Sequence, residues 1–167
     1  AIALAAGVVA FAQQRSEKVP VAVYYPETVD GISSEAAALL MNKLTLATTQ
    51  NGMGAANESP QFYITCVPVE NDKHVVPGAP VKYFFKSDLN FYVVDAFAKK
   101  IFTSCTMPSQ GIGNSETKAM IACFKKFTPS SEVFVKFLDE TDKKIKEYYE
   151  GRIDLIIKKA RTLAEAY

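Results

Sequence analysis

The spacing of apolar and polar residues changes several times along the chain, and each change predicts an element. Residues 19–25 (VPVAVYY) are β-branched and aromatic and read as a strand, whose start Pro20 confines to an opening or edge position. Residues 28–32 form a polar turn around Gly31. A helix follows from a cap at Ser33 or Ser34 to about Thr49, because Ala36, Leu39, Leu40, Leu44 and Ala47 recur at helical spacing. Residues 51–60 (NGMGAANESP) read as a loop. Residues 61–69 (QFYITCVPV) are a second strand and 71–80 a turn-rich connection. Residues 81–85 and 89–95 are two strand-like runs or one long bent strand. Residues 99–107 (KKIFTSCTM) alternate like a half-buried strand, with Ile101, Thr103 and Cys105 on one face and Phe102, Ser104 and Thr106 on the other. The link at 96–98 is too short for a crossover, so 89–95 and 99–107 pair as an antiparallel hairpin.

Residues 108–113 read as a turn, and Asn114 or Ser115 caps a helix from about Glu116 to Phe127 with Met120, Ile121, Phe124 and Phe127 on its apolar side. After Pro129 and Ser130, residues 132–149 form a strongly amphipathic helix that turns Val133, Phe134, Phe137, Leu138, Ile145 and Tyr148 inward. Gly151 interrupts it, and 153–167 repeat the pattern with Ile153, Ile156, Ile157, Ala160, Leu163 and Ala164. The order β-α-β-β-β-α-α predicts an α+β two-layer sandwich: a mostly antiparallel sheet, helices on one face and a long C-terminal helix. The final apolar stripe calls for a partner helix that does not follow. Residues 13–150 are therefore expected to be the α+β domain and 151–167 the start of a truncated helical region; a lone terminal helix folding back on the sheet is the alternative.

Residues 1–12 (AIALAAGVVAFA) carry no charge and end in an A-x-A pattern at Ala10 and Ala12. They read as the remnant of a signal peptide cut between Ala12 and Gln13, which places the protein in the periplasm or on the cell surface. The run falls short of the ~20 apolar residues that span a bilayer. With 49% apolar and 22% charged residues, the 167-residue chain has the composition of a folded globule. Its 19 basic and 18 acidic residues leave a net charge of +1, so no nucleic-acid partner is implied. Cys66, Cys105 and Cys123 are an odd set with neither zinc nor redox spacing. They are expected mainly as small buried hydrophobes, and Cys105 with Cys123 is the pair a disulfide would join.

No catalytic constellation emerges, and no metal or cofactor is expected. The strongest local signal is 109–119 (SQGIGNSETKA), where Gly111, Gly113, Ser115 and Lys118 surround a helix start that could cradle an anion. It lacks the spacing of a P-loop and the third glycine of a dinucleotide fingerprint, and a capped strand-to-helix turn is the competing reading. His74, the one histidine, sits in a polar connection. Asp88 and Asp95 flank an apolar strand and read as solvated strand ends. Ser33 and Ser34 lack a nucleophile-elbow context, and Tyr148 and Tyr149 read as a half-buried helix face.

Several segments together are familiar: VAVYYPE at 21–27, LMNKL at 40–44, LNFYVVD at 89–95, KIFTSCTM at 100–107, GIGNSETKA at 111–119 and IKEYYEGRIDLIIKKARTLA at 145–164. In these the chain resembles a family of uncharacterised exported proteins of Bacteroidetes-type bacteria, with phage relatives, over nearly all of 19–167. The resemblance implies a helical, repeat-like region after this one. Members often carry Cys before the Asp that follows the tyrosine pair, where this chain has Ile153 before Asp154. The element order is also similar to the N-terminal domain of TolB, the curli secretion protein CsgG and the synthase activator LpoB. That likeness implies a non-enzymatic envelope module that binds another protein and meets a membrane only through that partner, with no site residue carried over. A small-ligand or anion-binding domain at Gly111, Gly113, Ser115 and Lys118 and an unrecognised hydrolase are the alternatives.

Overall fold

The computed structural model describes residues 17–25, 29–55 and 61–165. The leader-like run at 1–12 and its cleavage point lie outside them. In chain order the elements are β1 (Ala22–Val23), α1 (Ser34–Gln50), β2 (Phe62–Val76), β3 (Lys82–Asp95), β4 (Lys100–Gly113), α2 (Glu116–Lys125) and α3 (Glu132–Glu165). The strands form one mixed sheet ordered β1-β2-β3-β4. β1 is parallel to β2, and the other pairs are antiparallel. The order and the α+β class are those the residue pattern predicts.

Alternation decides which sheet face is covered. Phe62, Ile64 and Cys66 of β2 and Phe85, Leu89, Phe91 and Val93 of β3 are buried together with Leu40 and Leu44 of α1, Phe124 of α2 and Phe134, Leu138 and Ile145 of α3. Phe91 sits at the centre, its ring 5.0 Å from both Phe127 and Phe134. Buried polar atoms are paired. Thr141 Oγ1 donates to the carbonyl of Phe137 at 2.7 Å, so its single proton is used and Thr103 Oγ1, 2.6 Å away, is the donor between the two hydroxyls. Ser33 and Ser115 cap α1 and α2 by accepting from Ala36 N–H and Lys118 N–H. Lys43 Nζ donates to the carbonyls of Lys125 and Phe127, tying α1 to the end of α2.

The structure departs from the pattern in four places. β2 does not stop near Val69 but continues to Val76, with Asp72 to Val76 registered against Lys86 to Lys82. Backbone pairing needs no buried face, so charged side chains can ride on it. β4 runs through Pro108 to Gly113 where a turn is predicted. Proline is tolerated because β4 is an edge strand and needs hydrogen bonds on one side only. A bulge leaves Phe102 unpaired between Val93↔Thr103 and Val94↔Ile101. The extra residue shifts the phase: Phe102 and Thr103 both meet the helices, while Ile101, expected beside Thr103, is 56% exposed. Finally, Gly151 does not end a helix, because α3 is continuous from Glu132 to Glu165.

Candidate functional site

Gly111, Gly113, Ser115 and Lys118 do meet at the start of α2. A Cβ on Gly111 would lie 2.2 Å from Cys123 N and 2.4 Å from Ala119 O, and one on Gly113 would lie 2.4 Å from Ala119 N. Both glycines therefore let α2 lie directly on β4. Their backbone belongs to the sheet ladder opposite Phe85 and Tyr83. Ser115 Oγ is occupied by Lys118 N–H at 3.2 Å. An anion reading thus draws nothing from the glycines, whose place is accounted for by helix–strand contact.

The cysteines are unbridged, Cys66 and Cys123 buried and Cys105 half-buried. The bridge considered between Cys105 and Cys123 is absent for a geometric reason. Ser109 Oγ donates to the carbonyl of Cys123 at 2.7 Å, which seats that residue over Ser109 and Gly111. Cys105 lies about 13 Å back along the strand, beyond the ~7 Å Cα separation a disulfide spans. Burial pushes all three thiols above their ordinary pKa, so none is poised as a thiolate nucleophile. His74 lies on the extended part of β2 rather than in a loop, 3.2 Å from Asp72 and stacked on Phe84. No group of metal-ligating side chains forms among the described residues. Asp88 and Asp95 cannot share a cleft, because an odd number of strand positions separates them and they project to opposite sheet faces.

The densest polar cluster lies where α3 passes the end of the sheet. Asp95, read as a solvated strand end, has no exposed surface. Its Oδ1 accepts from the N–H of Phe97 at 2.8 Å and of Ala98 at 2.9 Å, and its Oδ2 accepts from Gln61 Nε2 at 2.9 Å. Tyr149 on α3 donates its hydroxyl to Gln61 Oε1, which closes the chain of hydrogen bonds from turn to strand to helix. Burial pushes the Asp95 carboxyl up, but the bonds from Ala98, Gln61 and Phe97 and the charge of Arg152 outweigh it and hold the pKa below the usual carboxylate range. Around this core, the Arg152 guanidinium stands 5.3 Å over the Tyr148 ring, and Lys100 Nζ is 5.8 Å from the Tyr148 and Phe102 rings. The donors on this carboxylate all serve the fold, so the cluster anchors rather than reacts. The pairing of Gln61 with Tyr149 spans too much sequence to be read ahead. The Asp95 turn had a local signal, an Asp followed by a tight link, which is an Asx-type cap.

Two apolar surfaces leave this anchor. The turn bonded to Asp95 holds Phe97 76% exposed. Beyond Tyr149, every residue of α3 from 150 to 165 is exposed, and Ile153, Leu155, Ile156, Ile157 and Leu163 are between 45% and 64% exposed. On the helix-free sheet face Tyr24, Tyr63, Thr65, Val94 and Ala96 line a shallow depression of ≈ 470 Å³. No described helix is long and apolar enough to cross a membrane.

No family model matches the chain. No curated protein sequence matches it either. Among solved structures it is similar to a minor lipoprotein from Acinetobacter baumannii, at 13% identity over 78% of this chain and 89% of that one, with a TM-score of 0.40. It is also similar to the PelC dodecamer from Paraburkholderia phytofirmans, at 13% identity over 75% and 90% of the two chains, TM-score 0.38. A third is protein XCC0632 from Xanthomonas campestris, at 14% identity over 76% and 72%, TM-score 0.34. These likenesses concern the course of the chain, and no residue role is taken from them. A bacterial lipoprotein is thus among the proteins whose chain course this one shares.

Proposed function

We propose that this protein is a non-enzymatic, exported module of the cell envelope that works by contacting another protein along the projecting half of α3. The observation that carries the reading is the unburied apolar stripe of that half. Ile153, Ile156, Ala160 and Leu163 follow one another at intervals of three, four and three, the seam spacing of a helix that packs against a second helix. The segment runs for about 24 Å at 1.5 Å per residue. A helix of that length is marginal in water without packing, and a row of exposed aliphatic side chains of this kind marks an interaction surface. Arg152 and Lys159 lie one heptad apart along one flank of the stripe, which favours a partner helix with acidic residues opposite them. Export rests on the leader-like residues 1–12.

The test compares the chain with its Ile156→Asp, Leu163→Asp variant in light scattering and in capture from envelope extracts. The expected result is a discrete complex formed by the unaltered chain and lost in the variant. A chain that runs as a monomer and retains nothing from the extracts ends the reading.

A further inference from the structure

At the opposite end of the sheet from the α3 exit, β2 and β3 continue as a two-stranded arm. β4 ends at Gly113, which is registered with Tyr83, so residues 75–82 stand beyond the last three-stranded row. Between 69 and 82 all residues are exposed except the half-buried Val76, and neither face of the arm is covered.

The arm is graded along its length. Its tip, residues 75–81 (VVPGAPV), has no charged or hydrogen-bonding side chain, and Val75 and Val81 are 53% and 48% exposed. Immediately below come the rings of Tyr83, opposite Val75, and of Phe84, stacked on His74 with centroids 4.8 Å apart. The cations form the collar. Lys82 stands opposite Val76 and Lys86 opposite Asp72, and neither makes an ion pair among the described residues. Lys73 lies 3.6 Å from Glu70 and 3.9 Å from Glu116, and Asp72 lies 3.2 Å from His74. The acids of the arm thus each face a basic side chain, which leaves Lys82 and Lys86 to set the sign of the field near the tip.

We propose that this hairpin is a membrane-docking element whose tip enters the interface of a bilayer bearing anionic headgroups. The order apolar tip, aromatic row, basic collar is the order in which a bilayer offers acyl boundary, headgroup zone and charged surface. About three residues of strand separate tip from collar, roughly 10 Å, the depth to which interfacial elements bury. A protein groove accounts for the apolar tip alone and asks for no such grading. The inference stands apart from the α3 reading, since it concerns the other end of the sheet.

The chain contains no Trp, so Val81→Trp supplies a sole fluorescent reporter at the tip. Vesicles of phosphatidylcholine alone, and with about one third phosphatidylglycerol, are the probes. The expected result is a blue shift and protection from an aqueous quencher on the anionic vesicles. Lys82→Glu with Lys86→Glu weakens that binding about tenfold or more and steepens its loss with salt. Flotation of the otherwise unaltered chain falls when Val75→Asp and Val81→Asp are introduced, while its melting curve is unchanged because both sites are exposed. Emission at 81 that stays water-like on every vesicle overturns the proposal, whatever else in the chain binds lipid. So does binding indifferent to vesicle charge and to the lysines, or a shift seen with envelope proteins and not with lipid.

Discussion

Asp95 shows how far a single residue can differ from its sequence context. By position it is an acid at the end of an apolar strand, beside a short link, and such residues are usually solvated. In the structure it is the acceptor for two backbone donors of the following turn and for Gln61, which Tyr149 holds in place. Because its folded pKa lies below the value of about 3.9 expected unfolded, the ionised form favours the fold at neutral pH. That contribution is complete above the unfolded pKa and is lost as pH falls through the folded one. Asp95→Asn is expected to destabilise by about 1–3 kcal/mol near pH 7. The gap between variant and parent urea midpoints should close below about pH 4. A gap of constant size across that range means that the charge contributes nothing. Half of this site was legible, namely the Asp that caps its own turn. The other half was not, because Gln61 and Tyr149 reach it only once strand and helix are packed.

At the scale of elements, two glycines with the same look in sequence behave in opposite ways. Gly111 read as part of a turn, but it lies in β4 with the α2 backbone pressed onto it. Gly111→Ala should cost about 3 kcal/mol or more, seen as a marked fall in melting temperature, because backbone rather than a movable side chain blocks the new methyl. Gly151 read as a helix break, but it lies inside α3 with nothing within 4 Å of where its Cβ would be. Gly151→Ala should strengthen the projecting helix by about 0.5–1 kcal/mol, measured as slower amide exchange on both sides of the substitution. Elements with a buried face, such as α1 and the inner half of β2, followed the periodicity closely. The outer half of β2 did not, since residues 70–74 (ENDKH) carry charges on a strand that has no covered side. The bulge at Phe102 likewise escaped detection, because an unpaired residue changes the phase of a strand without changing its composition.

Over the whole molecule, burial is concentrated in one sandwich, and two extensions leave it at opposite ends of the sheet. The α3 half beyond Tyr149 buries none of its own side chains. Ile156→Asp with Leu163→Asp should therefore leave the melting temperature of the sandwich almost unaltered, a change within about 0.5 kcal/mol. A large fall would mean that the stripe already packs within the chain. The element order and the α+β class were readable from residues alone, since a period of 2 or 3.6 is set by local backbone geometry and acts before any long-range contact. The same holds for the caps at Ser33 and Ser115, which need only a neighbouring turn. Packing alone settled the rest: that Gly111 admits a helix, that Cys105 and Cys123 are too far apart to join, that Asp95 is enclosed, and that the arm and the end of α3 stand clear of the core. Each of these depends on distances between residues remote in sequence, and such distances exist only after the sheet and its helices have closed on each other.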